Sequence, residues 1–511
     1  MSASTERKLR QAARAAGTDK KMLAAQEAAQ KKKKSQIRWT LGTIAVVLLI
    51  ALIFFLDSGV LYTRTTALTV GDKNYSPAEV SYYYGNEYHT MVNQYGSYIS
   101  LFGLDTRSGI SGLDKQDCPM LENGTWRDYF LQSAEENIKQ VKALTDYAKQ
   151  NGISLSEDEI AAIDAEIAQL ADYAKTAGYA SADNLLAANY DNGVTTSVVR
   201  QAYLDSALAS KVYSEVYNGL SYTADELEAE YQSYNGEQDL FGFMFYYIAA
   251  VVEEGEEAPS DVAKVEAHAD ADAVYMAYAD GTDIEDVEER FAVAVDSQFE
   301  GQTPTTRSGV AGSSLSAVYK EWLMDTERKA GDAAVFDDES GSWVVVFLSR
   351  DDNHYATANI RHILVKAEAS EDGTYSDEAK AAAKARAEEL LAEFQAGDKS
   401  EESFATMANL YSEDSGSNTN GGLYENVARG QMVKEFDAFL FEGHKPGDTG
   451  IVYGESSGYA GYHVMYYVGE GKQYSDMLAE NSLRSSAMQS WVEEATAPYE
   501  VTVGSALRRV G

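Results

Sequence analysis

Cysteine is almost absent from this sequence of 511 residues, in which Cys118 is the single example. An intrachain disulfide is therefore impossible, whatever compartment the protein occupies. The position of Cys118, far from the N-terminus, also excludes a lipid-modified cysteine as a membrane anchor. We expect Cys118 to be a buried or incidental thiol. At this length the chain should form about three or four domains, none of them braced by disulfides.

Basic residues are scarce everywhere except at the N-terminus. Residues 1–38 contain 11 Lys and Arg against 3 Asp and Glu, whereas the remaining chain contains 31 basic and 78 acidic residues, a formal charge of −47. An acidic body of this kind repels phosphate backbones. The sequence therefore predicts no nucleic-acid partner for the part of the chain that follows the tail.

Charged residues are missing from one long segment, which reads WTLGTIAVVLLIALIFFL over 39–56. A run of this length is enough to span a bilayer, and the lysines before it predict a cytoplasmic N-terminus. We therefore expect a basic cytoplasmic tail at 1–38, a transmembrane helix at 39–57, and the bulk of the chain outside the cell membrane that this single pass crosses. A cleaved signal peptide is the alternative, but the long preceding tail and the length of the run argue against it.

The residues that follow are patterned as an α-helical domain over 65–236. A short strand and turn lead to Ser76, which can cap a helix together with Glu79, and Ser156 with Glu159 repeats that signal. Apolar residues recur at three- and four-residue steps from Trp126 onward, as in amphipathic helices, and the pattern contains no catalytic constellation. This region resembles the N-terminal chaperone domain of SurA- and PrsA-type extracytoplasmic foldases. The resemblance implies that it holds unfolded clients.

The most specific pattern lies in 356–474. Its pieces, in chain order, are Asn359 to Val365 with a central histidine, a long helix at 377–396, Phe404 to Ala408, Tyr411 to Ser417, Asn420 to Leu423, Gly430 to Phe436, Lys445 to Asp448, and Gly461 to Met465. The order and spacing resemble the parvulin family of peptidyl-prolyl isomerases. That family implies a small four-stranded antiparallel sheet wrapped by helices, with the isomerase activity located in this domain.

The chemistry of proline isomerisation explains why such residues should converge. The barrier of about 18–20 kcal/mol comes from the double-bond character of the amide, so an enzyme must grip the proline ring and favour the twisted amide. The family pattern implies that Leu423, Met432 and Phe436 line an apolar slot. It also implies a catalytic set in which His362 and His463 face each other beneath the slot and Asp414 lies beside the substrate carbonyl. No covalent intermediate is involved, and we expect no cofactor and no metal.

Ordinary structural roles compete with this interpretation. Apolar residues at such spacing are usually core, and a histidine inside a strand is usually a satisfied core histidine. A two-histidine metal site has no carboxylate or thiolate companion at ligand spacing. What favours the functional interpretation is that two of only six histidines fall at the matched positions of the first and last strands. One departure is the insertion from Ser457 to Ala460, which leaves the rim residue before the last strand unassigned.

The stretch 239–353 repeats the pattern in degenerate form. Phe243 to Ile248 takes the place of the first strand, and Trp343 to Phe347 that of the last. The alignment puts Phe245 where the other copy has His362, and Val344 where it has His463. Domain-scale repeats indicate duplicated modules. We predict a parvulin-like fold without isomerase activity, and the alternative is an unrelated α+β linker domain.

Together these patterns predict a multidomain α+β protein with one transmembrane helix, an α-helical chaperone domain, one degenerate and one intact parvulin domain, and a C-terminal helix and tail at 475–511. Its function would be cis/trans isomerisation of X-Pro bonds in exported proteins by a membrane-anchored foldase. Its partners would be unfolded or newly exported polypeptides, and the membrane through 39–57. The alternative is a client-binding chaperone without significant isomerase activity. A structural cell-surface protein is disfavoured because adhesion-type β repeats are absent.

Overall fold

The chain folds into two compact units. The structure, a computed structural model, describes residues 3–17, 20–57, 59–456 and 458–511. One unit consists of Met1–Leu220 with Ala487–Gly511, and the other of Ser221–Ser486. The C-terminal 25 residues therefore belong with the N-terminal unit, whereas the sequence had suggested a separate helix and tail.

The first unit opens with helices α1 (Ala3–Ala15) and α2 (Lys20–Asp57). Among the residues that the structure describes, none of the helices combines the length and the apolar character needed to cross a membrane. The side chains of 51–57, the end of the predicted span, lie outside the described part. The prediction of a transmembrane helix at 39–57 is wrong on this finding.

The rest of the first unit is mainly helical, and its helices begin at polar caps. Side chains of Ser76, Thr125 and Ser156 each form a capping box with an acidic residue three positions later, as the sequence predicted for the first and third. The elements are α3 (Val60–Thr63), β1 (Leu68–Val70), β2 (Lys73–Tyr75), α4 (Pro77–Tyr95), α5 (Trp126–Asn151), α6 (Glu157–Thr176), α7 (Ala182–Asn189) and α8 (Thr196–Gly219), with 3-10 turns at Gly96–Phe102 and Thr106–Lys115.

A single core holds this unit together. Tyr84, Trp126 and Phe130 are among its largest fully buried side chains, and Cys118 lies in the same core as a free thiol. The chain end joins them, because strand β11 (Val501–Val503) pairs antiparallel with β1 and gives the sheet order β11-β1-β2. This pairing closes a long loop between residues more than 400 positions apart, a contact that local sequence patterns do not report.

The second unit contains two four-stranded antiparallel sheets that follow α9 (Ala224–Ser233). The elements of the first half are β3 (Leu240–Ala249), α10 (Asp261–Asp280), α11 (Val287–Gln298), β4 (Thr305–Ala311), α12 (Lys320–Met324), β5 (Ala333–Asp337) and β6 (Gly341–Asp351). Those of the second half are β7 (Ala356–Lys366), α13 (Asp377–Ala396), α14 (Glu401–Tyr411), β8 (Leu423–Val427), α15 (Lys434–Phe441), β9 (Thr449–Ser456), β10 (Tyr459–Gln473) and α16 (Tyr474–Thr496), which ends in the other unit.

The two sheets share one topology. Their strand orders are β4-β3-β6-β5 and β8-β7-β10-β9, so in each half the first and last strands form the central pair. In the second half, α13 and α14 cover one face of the sheet through Phe394 and Phe404, while α15 packs Phe436 and Phe439 on the other. The same two-sided arrangement recurs in the first half, with α10 and α11 on one face and α12 on the other.

One glycine fixes the chain between α14 and β8 against the first central strand. Gly422 has a φ of +71°, accepts a hydrogen bond from the amide of His362 at 2.9 Å, and would place an added Cβ 2.2 Å from the carbonyl oxygen of His362. Only glycine permits this close approach in the left-handed region. The chain between α14 and β8 therefore lies too close to β7 for any side chain at position 422.

We expect Gly422→Ala to loosen β7 much more than an ordinary glycine substitution. Gly430 supplies the control, since its φ is +75° but an added Cβ would meet nothing within 4 Å. Gly430→Ala should cost about 1–2 kcal/mol from backbone strain alone, and Gly422→Ala about 1–3 kcal/mol more from the clash. Hydrogen exchange of a peptide covering β7 measures the difference. Equal protection of that peptide in the two variants would contradict this account.

Candidate active site

Two histidines meet on one face of the second-half sheet. In the central pair, His362 of β7 lies opposite Met465 and His463 of β10 lies opposite Leu364, so the two rings are diagonal neighbours on the same side. Their Nδ1 atoms are 2.9 Å apart and their ring planes are inclined by 25°. Both residues are buried, with 3% and 4% of their surface exposed. The two rings therefore form the buried bottom of a site and are not arranged as exposed ligands for a metal.

A carboxylate completes the histidine pair. Asp414, in the loop after α14, places its Oδ2 3.0 Å from Nε2 of His362. The same oxygen accepts hydrogen bonds from the hydroxyls of Ser417 at 2.6 Å and Tyr424 at 2.9 Å. The bond from His362, followed by those from the two hydroxyls, lowers the pKa of Asp414 far below its usual value despite its partial burial. Asp414 is therefore an anion at neutral pH.

The anion sets the direction of every hydrogen bond in the row. An ionised carboxylate can only accept, so Nε2 of His362 carries a proton. When both rings are neutral, Nδ1 of His362 then accepts, and Nδ1 of His463 donates to it. Nε2 of His463 is left as an acceptor, and the hydroxyl of Tyr459 lies 3.0 Å from it. Burial, and then the neighbouring His362, lower the pKa of His463 to about 3, so its ring is uncharged at neutral pH.

An apolar wall stands over the histidines. Phe436 of α15 is almost fully buried, and its ring centre lies 5.4 Å from that of His362 and 5.2 Å from that of His463, edge to face with both. Met432 and Tyr424 pack in the same cluster. The site therefore combines an apolar lining with an immobile polar floor, which are the two features needed to hold a proline ring while its amide twists.

The structure brings together five of the six residues that the sequence singled out. His362, Asp414 and His463 form the row, and Met432 and Phe436 lie in the apolar cluster beside it. Leu423 does not join them. Leu423 pairs with Arg361, whose side chain bonds Glu401 on the opposite face of the sheet. Neighbouring residues of a strand point to opposite faces, so Tyr424 lies next to His362 instead.

Three contributing residues were not predicted. Tyr424 and Ser417 bond Asp414, and Tyr459 bonds His463. Burial, and then the bond to Asp414, raise the pKa of Tyr424 to about 12, so it stays a donor. Tyr459 belongs to the insertion that left the rim unassigned, and Ser457 of that insertion lies outside the described residues. The sequence could have indicated Tyr424 by its position, directly after Leu423, which was predicted to line the slot.

The repeated half has no such row. Phe245 lies opposite Val345. Trp343 precedes Val345 by two residues in the chain and lies opposite Tyr247. The counterpart of His463 is therefore Trp343 rather than Val344, which points into the other face of the sheet and is fully buried under α10. A shift of one residue moves a side chain across the sheet, and that is the error in the sequence alignment. An aromatic pair thus stands where the second half has its histidines.

The fold and the site define a class: a small antiparallel domain that can bind an X-Pro amide without covalent chemistry. Residues 345–466 match a family model described as a PPIC-type PPIASE domain. Residues 345–466 therefore form a domain of the parvulin type of peptidyl-prolyl cis-trans isomerase. The match covers about a quarter of the chain, so it assigns this domain and not the rest of the chain.

Other comparisons add relatives in structure only. The chain is similar to a peptidylprolyl isomerase, PrsA, from Bacillus cereus, at 23% identity over 28% of this chain and 49% of that one, with a TM-score of 0.18. It is similar to the foldase protein PrsA from Streptococcus pneumoniae at 10% identity over 76% and 96%, with a TM-score of 0.26. The chain spans about half the length of the Bacillus cereus structure. No curated protein matches, and the family model carries the assignment.

We expect Asp414→Asn to disable the row while leaving the fold intact. An amide lacks the charge that orients His362, and loss of one charge-assisted hydrogen bond, worth about 1.5–3 kcal/mol, corresponds to a drop of about 10- to 100-fold in kcat/KM. A protease-coupled assay on a short proline peptide measures it. Glu401→Gln, which removes an exposed charge beside Arg361, is the matched control and should stay within about twofold of the parent. An Asp414→Asn enzyme with full activity would contradict the role given to the anion.

Proposed function

We propose that this isomerase acts on X-Pro bonds of unfolded, newly exported polypeptides, and that its helical unit holds those clients. The observation that carries the proposal is the row from Tyr459 through His463 and His362 to Asp414, roofed by Phe436. Uncatalysed isomerisation takes tens of seconds or longer, so it limits the folding of such clients. The extracytoplasmic location stays a prediction, made from the basic residues that precede the apolar segment 39–56.

The chemistry follows from the geometry of the slot. The proline ring enters between Phe436 and Met432, where its apolar surface leaves water. The neutral imidazole of His463 below presents no competing charge, and the amide can rotate without a covalent bond to the protein. Because the row is already ordered, little reorganisation is needed when the amide reaches its twisted state. The enzyme thereby favours the twisted amide over both planar forms.

A groove in the helical unit supports the holding part of the proposal. It has a volume of about 620 Å³ and lies along α5 and α8. Val141, Leu144 and Tyr213 give it an apolar surface, while serine hydroxyls at 133, 206, 210 and 214 line its walls. Such a mixture can bind an extended chain through its side chains and its backbone without selecting one sequence. The volume is in the range of ligand sites in proteins, roughly 300–1,000 Å³.

The test compares a short proline peptide with a protein client whose refolding is limited by X-Pro isomerisation. For the full chain, Phe436→Ala should lower kcat/KM about tenfold or more on both, because the buried ring is lost from the slot. Tyr213→Ser should leave the short peptide unchanged and raise KM for the protein client several-fold. Tyr173→Ser, an exposed tyrosine of α6 outside the groove, is the control.

Each outcome separates the two parts of the proposal. Equal effects of Tyr213→Ser and Tyr173→Ser on the protein client would remove the holding role and leave an isomerase alone. Suppression of client aggregation without any acceleration of the short peptide would favour the alternative, a chaperone with little isomerase activity. We expect Phe436→Ala to lower kcat/KM on both substrates and Tyr213→Ser to affect only the protein client.

A further inference from the structure

The two halves of the second unit correspond position by position at the slot. Besides the shared strand order, α12 and α15 begin with the same signature: Lys320-Glu321-Trp322 in the first half and Lys434-Glu435-Phe436 in the second. In this signature Trp322 occupies the sequence position of the slot residue Phe436, while Tyr319 is the ring that contacts Trp343, with ring centres 5.8 Å apart. Phe245 and Trp343 take the places of the two histidines, with ring centres 5.2 Å apart against 5.1 Å for the histidine pair. All three positions are aromatic in the first half.

Further rings extend this set into a surface that we call the aromatic patch. Its members are all half-buried rather than enclosed, and they are Phe245, Tyr247, Trp322, Phe336 and Trp343. The ring centres of Tyr247 and Trp343 are 4.4 Å apart, and those of Trp322 and Phe336 are 5.6 Å apart. Buried Tyr319 lies beneath, 5.8 Å from Trp343 and 6.4 Å from Phe336. The rings therefore hold one another in place while part of each faces solvent.

The patch keeps the apolar half of the isomerase site and replaces the polar half. Phenyl and indole rings at 245 and 343 cannot form the directed row that His362, His463 and Asp414 make. They can, however, stack on a proline ring, which is how aromatic-lined surfaces recognise proline-containing segments. The arrangement fits binding without catalysis.

Charge indicates which segments would bind. Residues 239–352 contain 26 acidic and 7 basic residues, a formal charge of −19. At the patch itself, Asp338 accepts a hydrogen bond from the indole Nε1 of Trp343 at 2.7 Å, and exposed Glu339 follows it in the chain. Two cations also lie near the rings: Arg328, which is over Trp322 and paired with Asp325 at 2.9 Å, and Arg307, which acts on Tyr319. The formal charge of −19 outweighs them. The field around the rings favours a cationic ligand and opposes a second copy of this acidic chain.

We propose that the aromatic patch is a non-catalytic binding site for proline-containing, lysine- or arginine-bearing segments of unfolded polypeptides. The site extends the proposed function, because a client would meet one proline site that holds and another that isomerises within the same unit. It does not depend on isomerase activity. Its failure is therefore separable from failure of the slot.

The test is calorimetric titration of the full chain with the peptide KKAAPAAKK. The parent should show one site more than the variant Trp322→Ala/Trp343→Ala, and kcat/KM of that variant on a short proline peptide should be within about twofold of the parent. Trp343→Phe keeps an aromatic ring and should retain as many sites as the parent, so it reports on binding where the double variant fails to fold. Tyr173→Ala is the control for loss of an unrelated exposed ring.

Two further peptides test the chemistry of the ligand. EEAAPAAEE should bind the patch about tenfold more weakly than KKAAPAAKK at low salt, with the difference shrinking at 1 M salt as the charges are screened. KKAAAAAKK, without proline, should lose the patch site. The same number of sites in the parent and in the double variant, or equal affinity for all three peptides, would overturn the proposal. So would a dimer of the parent that the tryptophan substitutions dissociate and that binds no peptide at the patch.

Discussion

The hydrogen bond between Nε2 of His362 and the ionised Asp414 is the interaction on which the site depends. When both rings are neutral, the proton that the anion holds on Nε2 of His362 places the proton of His463 on Nδ1 and makes Tyr459 a donor at the other end. Four side chains from three segments, β7, β10 and the loop after α14, then adopt a single hydrogen-bonding state. Buried polar groups are costly when they are unpaired, so this fully paired row can lie beneath an apolar slot at little cost in stability.

The same scaffold appears twice, and the comparison shows what the scaffold itself provides. A central antiparallel pair places two side chains diagonally on one face, and an aromatic ring lies next to them, Phe436 in one half and Tyr319 in the other. With histidines at the diagonal, the arrangement forms an isomerase site. With Phe245 and Trp343 there, it forms an apolar surface. Topology sets the geometry of the pocket, and two residues decide whether its floor is polar.

Much of the site could be predicted because its residues are chemically distinctive and occur in order. His362, His463 and Asp414 were found in this way, as were Met432 and Phe436. The errors at Leu423 and Val344 were slips of one position, since apolar neighbours in a strand look alike while alternation sends them to opposite faces. Pairing of β11 with β1 could not be predicted, because it is set by packing between the two ends of the chain.

The most direct test of the central claim is nitrogen NMR of the ring atoms of His362 and His463 in the full chain, followed from pH 8 to pH 4. Because burial, and then the neighbouring His362, lower the pKa of His463 to about 3, this ring should remain neutral across that range. Nε2 of His362 should carry a proton throughout, bonded to the carboxylate. A His463 ring that becomes charged near pH 6.5, as an exposed imidazole does, would contradict the account.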